Sequence, residues 1–147
     1  MKIHFNDTRP ATAPAETLYD VITDYAAYPR FNTAVRTMQV VRHDEAGAEF
    51  VAGRKTKVEK NAHAYDRYAR GEDLVIERTY GGGTDARSTW TIHAVDGGHA
   101  TLNIDASMTM PWWKGLVMKP FLKKIFYGIN FTPFIEEAEQ RAAAVAA

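Results

Sequence analysis

Pro111-Trp-Trp-Lys-Gly-Leu-Val-Met-Lys-Pro-Phe-Leu-Lys-Lys-Ile-Phe-Tyr-Gly-Ile-Asn-Phe-Thr-Pro-Phe-Ile-Glu-Glu137 is the stretch on which the fold turns. At about 100° per residue, Met118, Phe121, Leu122, Ile125 and Ile129 fall on one stripe, with Lys119, Lys123, Tyr127 and Asn130 turned away. That spacing predicts an amphipathic helix running on towards Ala147. Beyond Pro133 the apolar set Phe131, Phe134, Ile135, Ala138 and Ala142 is rotated by roughly 140° on an ideal wheel. Pro133 has no N–H to donate and crowds the preceding turn. A kink or break is therefore expected between Asn130 and Pro133, with a second irregularity at Lys119-Pro120. So much apolar and aromatic surface must be received by a concave surface elsewhere in the chain.

The rest of the sequence supplies that surface as strands. Lys2 to Thr8 alternates Ile3 and Phe5 against Lys2, His4 and Asn6, a period of two. The period then changes: Thr12 is a helix cap, Pro14 suits a first turn, and Leu18, Val21 and Ile22 form an i, i+3, i+4 stripe. That helix should stop near Asp24, because Pro29 biases Tyr28 away from helical angles. Arg36–Arg42, Ala48–Val58, Asn61–Arg70, Asp73–Tyr80, Arg87–Val95 and Ala100–Thr109 then read as strands. Turns at Asp44-Glu-Ala-Gly, Arg70-Gly-Glu-Asp, Gly81-Gly-Gly-Thr-Asp and Asp96-Gly-Gly-His separate them. In the last strand Leu102, Ile104, Ala106, Met108 and Met110 alternate with Thr101, Asn103, Asp105, Ser107 and Thr109, giving one apolar face and one wet face. A one-sided antiparallel sheet needs a cover, and the terminal helix is the large amphipathic element available. The expected class is α+β, with a curved sheet of about seven strands folded round that helix.

Bulk properties narrow the function. A chain of 147 residues fits one domain over residues 1–147, with a sizeable core. Lysine plus arginine equal aspartate plus glutamate at 18 each, so overall charge gives nucleic acid no attraction. Without cysteine there is no disulfide framework, thiolate nucleophile or cysteine-held zinc. His4, His43, His63, His93 and His99 are scattered without ligand spacing, so no metal is expected. Gly81-Gly-Gly lacks a following lysine and reads as a turn, and no serine sits in a nucleophile elbow. The N-terminus lacks a signal-like apolar run, and no window reaches the ~20 apolar residues of a membrane span. A cytoplasmic protein is expected.

Ala13-Pro-Ala-Glu-Thr-Leu-Tyr-Asp-Val-Ile-Thr-Asp-Tyr-Ala-Ala-Tyr-Pro-Arg-Phe-Asn32 resembles the opening of the START-like, or SRPBCC, superfamily, in particular its polyketide cyclase/dehydrase and lipid-transport branch. The shared features are a small-Pro-Ala-Glu start, an Asp-aromatic pair and an aromatic-Pro-x-aromatic word, and the order of elements is similar through Ala147. The resemblance implies a helix-grip fold: the curved sheet around a long C-terminal helix, two short helices after strand 1, and a hydrophobic cavity between sheet and helix. One departure is visible. A coenzyme Q-binding subgroup continues with Pro-Trp-Cys, where this chain has Thr33-Ala34-Val35.

The implied ligand is a hydrophobic small molecule, lipid or polyketide-like, held without a cofactor. Its expected contacts are Tyr28, Phe31, Tyr68, Arg78, Tyr80, Trp90, Met108, Met110, Phe121, Ile125 and Ile129, with Tyr25 also facing inward; each could equally be core packing. If Leu74 and Ile76 face the helix, Arg78 and Tyr80 share that side, and a buried arginine needs a partner. On strand 61–70 the phase is open: Ala62, Ala64, Asp66 and Tyr68 share one face, Asn61, His63, Tyr65 and Arg67 the other. The small alanines favour Asp66 and Tyr68 inward. The alternative function is a cofactor-free cyclase or dehydratase. It would use Asp66 with Tyr68, or Arg78 to polarise a carbonyl while Tyr80 donates; a structural Asp–Arg pair accounts for the same residues. Trp112, Trp113, Lys123 and Lys124 lie in an acid-free stretch, which suggests transient membrane contact, unless the lysines merely solvate the back of the helix.

Overall fold

The computed structural model describes residues 2–54, 62–81, 85–109 and 112–146, the side chains of Arg54 and of 112–120 excepted. Seven strands form one antiparallel sheet in the order β1-β7-β6-β5-β4-β3-β2, a meander whose first strand closes the far edge. They are β1 (Lys2–Ala11), β2 (Val35–His43), β3 (Gly47–Arg54), β4 (Ala62–Arg70), β5 (Leu74–Tyr80), β6 (Arg87–Asp96) and β7 (His99–Thr109). Between β1 and β2 come α1 (Ala15–Thr23), a 3-10 turn (Tyr25–Ala27) and α2 (Tyr28–Phe31); α3 (Trp112–Asn130) and α4 (Thr132–Ala146) end the chain. The sheet is curved and the terminal helix bent, the helix-grip arrangement. The expected part of β3 from 55 to 58, Asn61 and the turn residues 82–84 lie outside the described residues.

Local departures from expectation have local causes. β1 runs through Pro10 to Ala11, past the expected end at Thr8. An edge strand tolerates a residue without an N–H, and β1 pairs only with β7. Thr12 does not cap α1, which starts after Pro14 with no side-chain cap; the Thr12 N–H donates to the Glu139 carboxylate at 2.8 Å instead. Tyr28 is helical (φ −48°, ψ −47°) despite preceding Pro29. Its ring is buried and its hydroxyl donates to the Ile22 carbonyl, so tertiary contacts override the local bias.

The terminal helix divides at the expected place. α3 ends at Asn130, Phe131 alone intervenes, and Pro133 sits in the first turn of α4, where a missing N–H costs nothing. By contrast α3 continues helical through Lys119-Pro120, since a proline removes one backbone bond and can bend a helix without ending it. The gripped half is α4. Phe134 and Ala138 are buried, Phe134 standing edge-on to Trp90, Tyr28 and Phe31, and Arg141 reaches Asp24 beyond α1 at 3.0 Å.

α3 leans on the edge strand β1, turned differently from the wheel reading. Phe121 (62%) and Ile125 (44%) are exposed, while Leu122 is buried and Phe126 stacks on Phe5 with centroids 4.8 Å apart. Tyr127, expected to point away, turns the helix: its hydroxyl donates to Asp7, and Arg9 covers its ring at 4.5 Å. Those polar partners on β1 are invisible to helical periodicity. Among the described residues no helix is long and apolar enough to cross a membrane.

Candidate functional site

β4 and β5 pair so that Asp66 faces Arg78 across the ladder. Both lie on the concave face, in phase with Ala64 and Ile76, which are fully buried. The Asp66 side chain is 0% exposed and that of Arg78 4%. Charges this deep must be paired in good geometry, and these are: Arg78 Nε donates to Asp66 Oδ1 at 2.7 Å and Nη2 donates to Oδ2 at 2.9 Å, a bidentate fork. Three rings surround the guanidinium, with centroids at 4.9 Å for Trp90, 5.1 Å for Phe50 and 6.0 Å for Tyr28. Burial by itself pulls the Arg78 pKa down, but the Asp66 carboxylate more than reverses that and holds it well above the usual arginine value.

The turn after α1 completes the cluster. Tyr25 and Tyr28, three residues apart, present their rings side by side 5.6 Å apart. The Tyr25 hydroxyl donates to Asp66 Oδ2 at 2.6 Å and lies 2.5 Å from the Tyr68 hydroxyl; Arg78 Nη2 donates to the Tyr28 hydroxyl at 3.0 Å. Burial, reinforced by the Asp66 charge, pushes the Tyr25 phenol far above its ordinary value. Burial likewise raises Tyr28, against the opposing pull of Arg78, and takes Tyr68 up to about 12. These hydroxyls are neutral hydrogen-bonders throughout the working pH range. Among the described residues every buried side-chain nitrogen and oxygen has a partner.

Gly47 is the backbone condition for this pair. A Cβ there would lie 2.0 Å from the Asp66 carbonyl oxygen, a clash with backbone that no rotamer relieves. Gly47→Ala should prise β3 from β4 beside Asp66 and lower stability by about 1–3 kcal/mol, the range for overpacking, read from the urea midpoint. An unchanged midpoint would show that the strands can part there without cost.

The cluster separates two unlike ends of the concave face. On one side Tyr68, with Tyr19, His43 and Arg70, lines an open polar groove of about 710 Å³. On the other, small inward residues form two groups: Ala52 pairs with Ala62, two residues before Ala64 on β4, and Ser88 pairs with Ala106, with Arg78 and Tyr80 of β5 standing between the groups. Around that small-residue patch Phe31, Tyr80, Met108 and Phe126 are only partly buried.

The structure sorts the expected contacts accordingly. Asp66 and Arg78 form the centre; Tyr28 and Trp90 are sealed into packing around it; Tyr68 belongs to the groove; Phe31, Tyr80 and Met108 border the small-residue patch. Ile129 is partly buried, and its carbonyl accepts from Asn32 Nδ2 at 2.9 Å. Phe121 and Ile125 point outward, away from any sheet cavity, for the reason Tyr127 supplies. Met110 lies outside the described residues. Sequence reading missed Tyr25 as the second hydrogen-bond donor to Asp66, for which the Tyr-x-x-Tyr spacing was a signal. It also missed the buried Asn32 tie to α3, for which there was none.

A family model described as polyketide cyclase/dehydrase and lipid transport matches residues 2–142. The chain belongs to that family. Among solved structures it is similar to the ZhuI aromatase/cyclase from Streptomyces sp. R1128, with TM-score 0.80 and 11% identity over 100% of this chain and 99% of that one. Norcoclaurine synthase from Thalictrum flavum, a point mutant in complex with a transition-state analogue, aligns with TM-score 0.70 and 7% identity, covering 96% of each chain. A START superfamily protein from Mycobacterium smegmatis gives 0.67 and 13%, covering 97% of this chain and 98% of that one. At such identities these likenesses establish the fold. No curated protein matches the sequence. Within this family's helix-grip fold, the Asp66–Arg78 fork lies between the open groove beside Tyr68 and the small inward residues.

Proposed function

We propose that residues 1–147 form one domain that binds a hydrophobic small molecule, lipid or polyketide-like, against the small-residue patch, with Arg78 and Tyr80 supplying polar contacts. The observation that carries this reading is the set of small inward residues on both sides of Arg78 and Tyr80, with Ala52, Ala62 and Ala64 on one side, Ser88 and Ala106 on the other, and Tyr80 and Met108 only partly buried. Small side chains at inward positions are what a ligand-bearing face needs, the flanking aromatics offer apolar contact, and a nearby guanidinium can orient a carbonyl or phenol.

Ala62→Leu, at a partly buried inward position, tests the reading by filling the patch. Binding of a fluorescent hydrophobic probe should weaken about tenfold or more, the effect of intruding methylenes on a fitted pocket, while circular dichroism stays unchanged. Equal probe affinity in the two proteins would rule the patch out.

A cyclase or dehydratase working in the same place is favoured by one observation, the neighbouring inward positions of Arg78 and Tyr80 on β5. Asp66 is ill suited to the proton transfers first considered for it, since both its oxygens are engaged and its side chain is sealed from the patch. Tyr80→Phe separates the classes: a carrier changes only in affinity, whereas an enzyme keeps its substrate affinity and loses turnover.

A further inference from the structure

α3 shows the solvent a face that neither the core nor the small-residue patch uses. On the helical wheel Phe121, Lys124, Ile125 and Gly128 fall within one narrow sector, and all four are exposed, Phe121 at 62% and Ile125 at 44%. Leu122 and Phe126, about 100° and 140° round the wheel from Phe121, pack inward. Lys123, also exposed, lies about 160° round the wheel from Phe121 and Ile125, with its ammonium 5.7 Å from the Tyr127 ring. No acidic residue occurs between Asp105 and Glu136, while Lys114, Lys119, Lys123 and Lys124 do, in a chain whose total charge is zero. The basic charge is thus concentrated on the segment that carries the exposed apolar pair.

We propose that this outward face of α3 docks on the surface of an anionic lipid bilayer. Two large apolar side chains one helical turn apart, with Lys124 beside them and no carboxylate on the helix itself, fit shallow insertion below a layer of anionic headgroups. A second copy is a poorer occupant. Two-fold pairing through this face would set Lys124 against Lys124, and the helix has no acid to offset the repulsion. The proposal is independent of whether the sheet side holds a ligand.

Co-sedimentation with phosphatidylcholine vesicles, with and without phosphatidylglycerol, tests it. The wild-type protein should pellet with the phosphatidylglycerol vesicles alone and be released by salt. Each unit of charge at an anionic surface changes partitioning about fivefold, so Lys124→Glu should weaken binding by about twenty-five-fold. Phe121→Ser with Ile125→Ser should also lose binding at an unchanged thermal midpoint, both residues being exposed. Ala62→Leu, which fills the sheet-side patch, should pellet like the wild type, so failure of the ligand reading leaves this result intact. Absence of wild-type pelleting at low salt, or equal pelleting of Lys124→Glu, overturns the proposal. So does a dimer in solution that Phe121→Ser dissociates, since the face would then serve self-association.

Discussion

Arg78→Met should destabilise the protein by about 3–5 kcal/mol, because it leaves the Asp66 carboxylate buried without its cation. For a domain whose total stability is of order 5–15 kcal/mol, that brings the fold close to failure. The Asp66 side chain is fully buried, and its one other donor in the cluster is the Tyr25 hydroxyl. Removing both charges is a different experiment. Asp66→Leu combined with Arg78→Met replaces a desolvated ion pair by apolar packing beneath Phe50 and Trp90, so most of the lost stability should return. The double variant then isolates function: a folded protein that no longer binds the hydrophobic probe assigns the guanidinium to the ligand. Urea unfolding of the two variants and the wild type supplies the comparison. A single variant within about 1 kcal/mol of wild type would falsify the view that this pair is fully desolvated.

The protein should also lose stability steeply in alkali, well before its arginines titrate. In the unfolded chain Tyr25 and Tyr28 ionise near pH 10, their ordinary value. In the fold both are pushed far above it, chiefly by burial. Above pH 10 the unfolded state therefore binds fewer protons than the folded state, so stability falls as pH rises. The contribution is fully present below pH 10 and is withdrawn progressively above it. Each such tyrosine gives a slope of about 1.4 kcal/mol per pH unit, so the two together give about 2–3 kcal/mol per unit. Urea midpoints measured from neutral pH upward should stay flat and then drop. Tyr25→Phe, although it gives up a hydrogen bond to Asp66, should remove about 1.4 kcal/mol per pH unit of the slope, Tyr28 and, up to about pH 12, Tyr68 supplying the rest. A flat profile through pH 11 would show that these phenols ionise in place.

The conversion of strand alternation into a site shows how far sequence reading reaches. Period two on β5 puts Arg78 with Ile76, and on β4 it offers two faces of which the alanine-bearing one is the inward one, as Ala64 and Asp66 show. Alternation says which side a residue is on, not what it meets across the ladder. The facing of Asp66 and Arg78 depends on the β4–β5 register. The share of the cluster supplied by Tyr25 and Tyr28 depends on how a short helical turn, distant in sequence, lies over the sheet. The same division holds for α3. Its helical character and the break before Pro133 are local consequences of spacing and of a missing N–H. Its rotation about its own axis is decided by Asp7 and Arg9, more than a hundred residues away.

By itself, then, the sequence determined the elements and their order, the antiparallel hairpins, the inward side of Arg78 and the division of the terminal helix, because each follows from periodicity and backbone chemistry within a few residues. Only the tertiary structure decided that α4 is gripped while α3 rests on an edge strand, that Phe121 and Ile125 face outward, and that Asp66 is spent on Arg78 and Tyr25 instead of being free for a substrate. Those outcomes depend on which partners satisfy a buried charge or hydroxyl, and the choice is made between segments that meet only when the chain has folded.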